Sequence, residues 1–334
     1  MTGSPFLALP GAVAAEGVDA GVAGHYGNPI VEQRKLERGD AIVDLSDRGV
    51  VTVTGPDRLS WLHSMASQAL SRLRPGVGTE ALLLDASGRI EHAAHVLDDG
   101  ETTWLVVEGD EAEPLTAWLD RMRFMLRVEV ADRTADFGIV WRAGQGPDGL
   151  DGASDKLITR SAPDSLGGQD LFVPRSELAD VIAAAEHPAG TWALEARRIA
   201  AGIARIGIDT DHRAIPNEAG LLETAVHLNK GCYPGQETVG RVQALGRPPR
   251  RLVRLQLDGS AEALPAVAAP VKLGEREVGR MGSSARHYEE GPIGLALIKR
   301  NVPVDADLLV DGIAAAQEVL VDPEIGDHFR PQLR

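Results

Sequence analysis

One cysteine in 334 residues, Cys232, decides much of what this chain can be. No intrachain disulfide can form, so packed apolar cores have to hold the fold, and the small secreted disulfide scaffolds are excluded. A lone thiol suits a reducing compartment, and a cytoplasmic setting is expected. The hydrophobic fraction, 43%, is sufficient for such cores. At roughly 100–150 residues per domain the length implies two or three domains. The net charge of -15 lacks the basic footprint of a duplex binder, so nucleic acid is not an expected partner. No run of ~18 apolar residues occurs, so no membrane partner is expected. The first 24 residues contain no Lys or Arg, and Glu16 and Asp19 interrupt them, unlike a secretory signal. That Gly- and Ala-rich stretch reads as a loosely ordered extension.

Hydrophobic periodicity then orders the chain. Val50 to Val53 is a β-branched run and predicts a strand. Thr54-Gly55-Pro56-Asp57 turns it into a helix with Leu59, Leu62, Ala66 and Leu70 at helical spacing, stopped by Pro75-Gly76. Strands are expected at Ala81 to Leu84, Arg89 to Leu97 and Thr102 to Val107. A helix follows, with Pro114 early in it and Leu115, Trp118, Leu119, Met122 and Leu126 on one stripe; Arg127 to Val130 closes the set. A second region has a strand at Phe137 to Trp141, a Gly/Asp-rich loop at Gly144 to Gly152, and helices over Ser176 to Glu186 and Trp192 to Ile203. From Arg251 short strands punctuated by Gly and Pro (Leu252 to Leu257, Val278 to Met281, Ile293 to Ile298, Leu308 to Val310, Gln317 to Val321) indicate a small β-barrel or sandwich. The fold class is α+β.

Cys232 lies in Lys230-Gly231-Cys232-Tyr233-Pro234-Gly235-Gln236-Glu237. Gly231 and Pro234-Gly235 make this a turn, and turns lie at surfaces. A free cysteine is also a common small core residue, so a buried and an exposed thiol both stay open. In an extended segment Lys230 shares a face with Cys232, and an ammonium there favours the thiolate, which an unperturbed thiol of pKa ~8.5 populates only to about 3% at pH 7. Lys230, Arg241, Arg247, Arg250 and Arg251 stand against one acid, Glu237, between residues 230 and 251; this is either a solvated face or an anion site. One thiol cannot hold an iron–sulfur cluster by itself. His92 and His95, three apart on an expected strand, point to opposite faces, so no metal site is expected.

The eight-residue segment resembles the hallmark of the YgfZ family, Lys-Gly-Cys-Tyr/Phe-x-Gly-Gln-Glu. Ile215-Pro216-Asn217-Glu218-Ala219-Gly220 is similar to that family's approach to the motif, and Arg241 with Arg250-Arg251-Leu252 to its continuation. Val53-Thr54-Gly55-Pro56-Asp57 and Leu83-Leu84-Asp85-Ala86-Ser87-Gly88-Arg89-Ile90 look like signatures shared with the glycine-cleavage T-protein (GcvT). The resemblance implies a GcvT-like folate-binding fold: two α+β units around a central hole, and a C-terminal β-barrel. The boundaries it implies are 25–50 with 135–248 for the first unit, 51–134 for a second, inserted unit, and 249–334 for the barrel.

The resemblance also implies a tetrahydrofolate or derivative as cofactor, with Glu195 in the place of the acid that holds the pterin ring, and Arg241 and His92 beside the folate. Cys232 and Lys230 become the working pair, and Gly231, Tyr233, Gly235, Gln236 and Glu237 shape the motif. T-proteins carry a catalytic Asp just after the turn that aligns with Ser87-Gly88; here His92 stands at or beside that place. The expected function is therefore a folate-binding accessory protein for assembly or repair of iron–sulfur clusters, with client or assembly proteins as partners. The alternatives are a folate-dependent aminomethyltransferase and a non-catalytic folate-site scaffold.

Overall fold

The computed structural model describes residues 3–144, 157–184 and 187–327. The chain divides into two units. The first holds Met1–Met65, Ala69–Ala81 and His92–Glu195; the second holds Ala66–Gln68, Leu82–Glu91 and Ala196–Arg334.

The first unit opens with a ribbon of β1 (Val13–Ala14) and β2 (Ala23–His25). Helix α1 (Pro29–Glu37) starts where Asn28 Oδ1 accepts from the Ile30 and Val31 N–H groups. Strands β3 (Ile42–Asp44) and β4 (Gly49–Thr54) follow, then α2 (Arg58–Met65). β5 (Gly78–Leu84) and β6 (Ile90–Asp98) begin or end in the second unit, and β7 (Thr102–Val107), α3 (Ala112–Met122) and β8 (Glu129–Asp132) return to the first. β9 (Phe137–Ala143), β10 (Ile158–Arg160), β11 (Gly168–Pro174), α4 (Leu178–Ala184), β12 (Pro188–Ala189) and α5 (Thr191–Ala200), whose last residues count with the second unit, complete the run.

Among the described residues the larger sheets have the orders β10-β11-β9-β3-β12 and β5-β6-β7-β4-β8. β3 and β9 are antiparallel neighbours, Val43 opposite Trp141, although 92 residues separate Asp44 from Phe137. The second of those sheets is built from that intervening stretch. Trp104 meets Phe137 and Phe172 edge-on at 5.0 and 5.4 Å, within a core that includes Leu36, Val43, Ile139 and Trp141.

Several sequence expectations shift. Residues 3–24 are not loosely ordered: Phe6 is fully buried against Ile42, Val140 and Leu171, since a large apolar side chain in the stretch gives it something to bury. The helix expected through Leu70 stops at Met65, because Ala66 leaves it to bridge Leu83. The helix over 176–186 starts as a 3₁₀ turn, Arg175–Glu177, and its last two positions lie outside the described residues, as does most of the 144–152 loop. Leu115 and Leu119 bury as expected, whereas Met122 and Leu126 are exposed.

The second unit contains α6 (Gln236–Leu245) and a closed barrel of β13 (Arg250–Leu257), β14 (Pro270–Leu273), β15 (Arg276–His287), β16 (Gly291–Lys299), β17 (Leu308–Val310) and β18 (Ile313–Val319). The order is β13-β16-β15-β14-β17-β18, and β13 closes it by pairing Val253 with Val319. Closure leaves no sheet edge exposed. The last strand begins and ends earlier than the 317–321 expectation, so that Ala315 can bury. No helix among the described residues is long and apolar enough to cross a membrane.

Candidate functional site

The cysteine segment is built by backbone contacts that no sequence pattern announces. Asp85-Ala86-Ser87-Gly88 is a tight turn in which Asp85 Oδ1 accepts from the Ser87 and Arg89 N–H groups, both at 2.8 Å. The turn lies directly against Gly235. A Cβ on Gly235 would stand 2.7 Å from the Asp85 carbonyl oxygen and 2.7 Å from the Gly88 Cα, and its φ of 78° is left-handed. A Cβ on Gly88 would in turn meet the Thr238 side chain at 2.9 Å. Two glycines thus permit a close approach of chain segments 147 residues apart. Gly235 then caps α6, its carbonyl accepting from Thr238 and Val239.

Lys230 and Tyr233 anchor the other side of the turn. The Lys230 ammonium donates to the Ala66 and Gln68 carbonyls at 2.5 and 3.0 Å and lies 5.0 Å over the Tyr233 ring. Burial lowers its pKa to about 8. The same tripeptide is tied down at Ser67, whose hydroxyl donates to the Ala225 carbonyl and accepts from the Leu82 N–H. The Ser67 carbonyl accepts from the His227 N–H at 3.0 Å. Tyr233 is buried, its hydroxyl has no partner among the described residues, and burial pushes its pKa up. Between these anchors Gly231 and Cys232 are exposed. The choice between a buried and an exposed thiol falls to the exposed one. Gln236 is half-buried, and Glu237 stands in the solvent at the start of α6.

The cations counted along residues 230–251 do not form one anion site. Arg250 is clamped by Glu218 (3.0 and 2.8 Å) and Asp211 (2.7 Å), and its pKa rises because these two carboxylates outweigh its burial. Arg251 is fully buried in the barrel and donates to the Val302 carbonyl and Gln317. Arg247 faces Glu324 at 3.8 Å, and exposed Arg241 faces Glu237 at 3.7 Å, one turn away on α6. Apart from Glu237, the neutralising acids lie far off in sequence, so a local count could not find them. Glu218, inside the 215–220 motif, is a structural clamp; the Leu252 N–H also donates to its backbone carbonyl, at 2.8 Å.

Glu195 and His92 belong to the first unit, apart from the cysteine segment's unit. Glu195 is half-buried on α5 between buried Leu194 and Ala196. A carboxylate is the kind of acceptor that can take two parallel N–H bonds from a pterin, and Glu195 already takes part in an interaction within the chain. His92 sits on β6 with Nδ1 2.6 Å from Glu111 Oε2 and its ring edge-on to Trp118. His95 pairs instead with Asp164. The two histidines have separate partners, as their odd spacing on a strand implies.

Sequence reasoning missed the Ala66–Gln68 strut, which holds Lys230 through the Ala66 and Gln68 backbone carbonyls and so gives no sign in sequence of that partner. It also missed the clamp in which Arg198 donates to Asp209 (2.8 Å) and Ser283 (2.6 Å).

The description "CAF17, C-terminal beta-barrel domain" matches residues 250–323. The chain is 27% identical to "Iron-sulfur cluster assembly factor IBA57 homolog, mitochondrial" from Chaetomium globosum, over 80% of this chain and 73% of that protein. It is 27% identical to an aminomethyltransferase from Synechococcus sp., over 87% of this chain and 88% of that protein. Among solved structures, glycine cleavage system aminomethyltransferase T from Bartonella henselae superposes with a TM-score of 0.77 at 16% identity, covering 95% of this chain and 96% of that one. The fold is therefore the GcvT fold, and the barrel match together with the sequence likeness to IBA57 and aminomethyltransferase proteins fits the YgfZ/GcvT superfamily.

Proposed function

We propose that this chain is an accessory protein for the assembly or repair of iron–sulfur clusters in client enzymes, that it binds tetrahydrofolate or a derivative, and that Cys232 is its working thiol. The observation that carries the reading is an exposed cysteine on a segment pinned on both sides by Lys230 and Tyr233. A thiol in a merely structural role would be buried with its neighbours. One exposed thiolate supplies one ligand to iron, and a partner protein would supply the others. The likeness to an IBA57 homologue along most of the chain supports the same class of function.

In this reading Lys230 holds the thiol-bearing turn as well as lending it positive charge. Gly231, Gly235, Gln236 and Glu237 shape the turn, Glu195 takes the pterin, and Arg241 and His92 are assigned to the folate by the family resemblance alone. The domain division at 25–50 with 135–248, 51–134 and 249–334 goes with it, supported by the sheet that residues 49–132 form between β3 and β9 in chain order. The protein works in a reducing cytoplasm.

The test is Cys232→Ser in cells that otherwise lack the chain. Several 4Fe–4S enzymes are assayed, with the wild type restored as control. The expected result is loss of those activities with an unchanged thermal midpoint of the purified variant, since the side chain is exposed. Full activity from the serine variant would sink the thiol's role.

The sequence likeness to aminomethyltransferases across 87% of the chain favours one other reading, a folate-dependent one-carbon transferase. Formation of methylenetetrahydrofolate from an aminomethyl donor discriminates it. His92 at or beside the place of the catalytic Asp, and already hydrogen-bonded to Glu111, weighs against it.

A further inference from the structure

A buried ionic cluster in the first unit is used by neither the cysteine segment nor the implied folate site. At its centre is Arg160, the last residue of β10, with a side chain only 1% exposed. Its Nη2 donates to both oxygens of Asp164, at 2.6 and 2.5 Å, and its Nη1 to Asp170 at 2.8 Å and to the Ser165 hydroxyl at 3.0 Å. Nη2 also reaches the Thr79 carbonyl on β5, and Nε the Val96 carbonyl on β6. Asp164 stands in the 3₁₀ turn Pro163–Ser165, and its side chain is 4% exposed. Asp170, on β11, is also mostly buried.

One guanidinium against two carboxylates leaves a negative charge in excess, and an uncompensated buried charge is costly. His95 can supply the missing cation. From β6 its Nδ1 meets Asp164 Oδ2. An ionised carboxylate can only accept there, so Nδ1 carries a hydrogen. With the ring protonated, Arg160, Asp164, Asp170 and His95 sum to zero. With it neutral, the hydrogen bond stays and the charge balance goes. The acids are shut off from water, but the His95 side chain is 46% exposed, so the proton can come and go. Glu80 on β5, itself buried, adds further negative charge facing the ring. β7 offers none, since Val106 lies opposite His95.

Burial would raise the pKa of Asp164, yet His95 and Arg160 outweigh it and hold the carboxyl well below the usual range. Burial likewise opposes the charge on His95, and Asp164 outweighs it, so that the pKa stands above the ordinary 6.5. The remaining ties do not titrate. Arg160 keeps the Thr79 and Val96 carbonyls, and the Ser165 carbonyl accepts from Trp141 Nε1 at 3.0 Å.

We propose that His95 and Asp164 form a pH-sensitive latch, which holds the Pro163–Ser165 turn against β6 while the histidine is protonated and slackens when it loses its proton. The latch uses no residue of the cysteine motif or of the folate assignment, so it stands or falls apart from the cluster-assembly reading. A folded-state pKa above the unfolded one makes its contribution to stability full below the unfolded value and lost as pH rises through the folded value.

The test takes the full chain with His95→Gln, whose amide can still donate to Asp164 but bears no charge, and with Asp164→Asn. NMR of the imidazole protons follows His95, amide exchange follows residues 163–165, and thermal midpoints are read across the same pH range. The wild-type His95 is expected to titrate above 6.5, and Asp164→Asn to move it down. The wild-type midpoint should exceed that of His95→Gln on the acid side, with the gap closing as pH rises through the His95 titration. Relative to their intrinsic rates, the turn amides should exchange faster on the alkaline side in the wild type, and at every pH in His95→Gln. A His95 that titrates at or below its ordinary value would overturn the proposal. So would a midpoint gap that ignores pH, or turn amides whose protection does not follow the His95 titration. His95→Gln decides these points even where Asp164→Asn disturbs the buried cluster.

Discussion

Lys230 shows how much one residue's role depends on what the fold brings to it. As a neighbour of Cys232 in sequence it reads as an electrostatic aid to the thiolate. In the folded chain its ammonium is a strut, held by two carbonyls and an aromatic face. Burial sets its pKa at about 8, below the ordinary 10.5, and the sign of the consequence follows. Below about pH 8 both folded and unfolded chains carry the proton, and the folded state bears the cost of a buried charge. Between about pH 8 and 10.5 the unfolded chain keeps a proton that the folded chain has released, so stability rises with pH in that window. Methionine at 230 has no proton to lose. Urea unfolding of the wild type and Lys230→Met at about pH 7 and about pH 9.5 should show the difference moving in favour of the wild type at the higher pH. A pH-independent difference would mean that the two carbonyls fully compensate the charge.

At the scale of elements, the cysteine site is a turn laid on a turn. The contact of Gly235 with Asp85 and Gly88 positions the start of α6 and, with it, the residues before it. Gly235→Ala adds a methyl where the space is 2.7 Å and the backbone is left-handed. A cost of about 1–3 kcal/mol is expected, read as a lowered thermal midpoint together with loss of cellular 4Fe–4S enzyme activity although Cys232 is intact. An unchanged midpoint would show that the turn shifts freely and that the approach has no structural role. Elements of this kind were only partly legible in the sequence. The strands at 50–53, 102–107 and 308–310 stood out because β-branched and aliphatic runs carry their own periodicity. The glycines flanking the cysteine correctly marked a turn. What each glycine packs against was invisible, because the partner lies 147 residues away. The same holds for α2, which ends when Ala66 pairs with Leu83, and for Arg250, whose charge is met by Asp211 and Glu218.

At the scale of the molecule, chain order and unit membership disagree. The chain passes from one unit to the other five times, and the second unit takes in Ala66–Gln68 and Leu82–Glu91 from its early half. Those two short pieces are what the cysteine segment rests on: Ala66 and Gln68 hold Lys230, Ser67 holds Ala225 and His227, and the 85–88 turn seats Gly235. The barrel asks for neither. Its core of Val253, Leu255, Val271, Met281, Ile298 and Val310 is its own, and the Arg198–Asp209–Ser283 and Arg250–Glu218 clamps both lie after residue 195. A fragment of residues 196–334 should therefore fold as a barrel and leave its cysteine segment unformed. Amide exchange measured by NMR would show protected β13 to β18 amides and rapid exchange from about residue 221 to the first turn of α6. Protection of that segment in the fragment would mean that it folds on its own sequence and that the early pieces merely cover it. Loss of protection throughout would mean that the barrel too depends on the early half of the chain. The expected split, stable barrel and unformed thiol turn, would make the working cysteine a property of the whole chain.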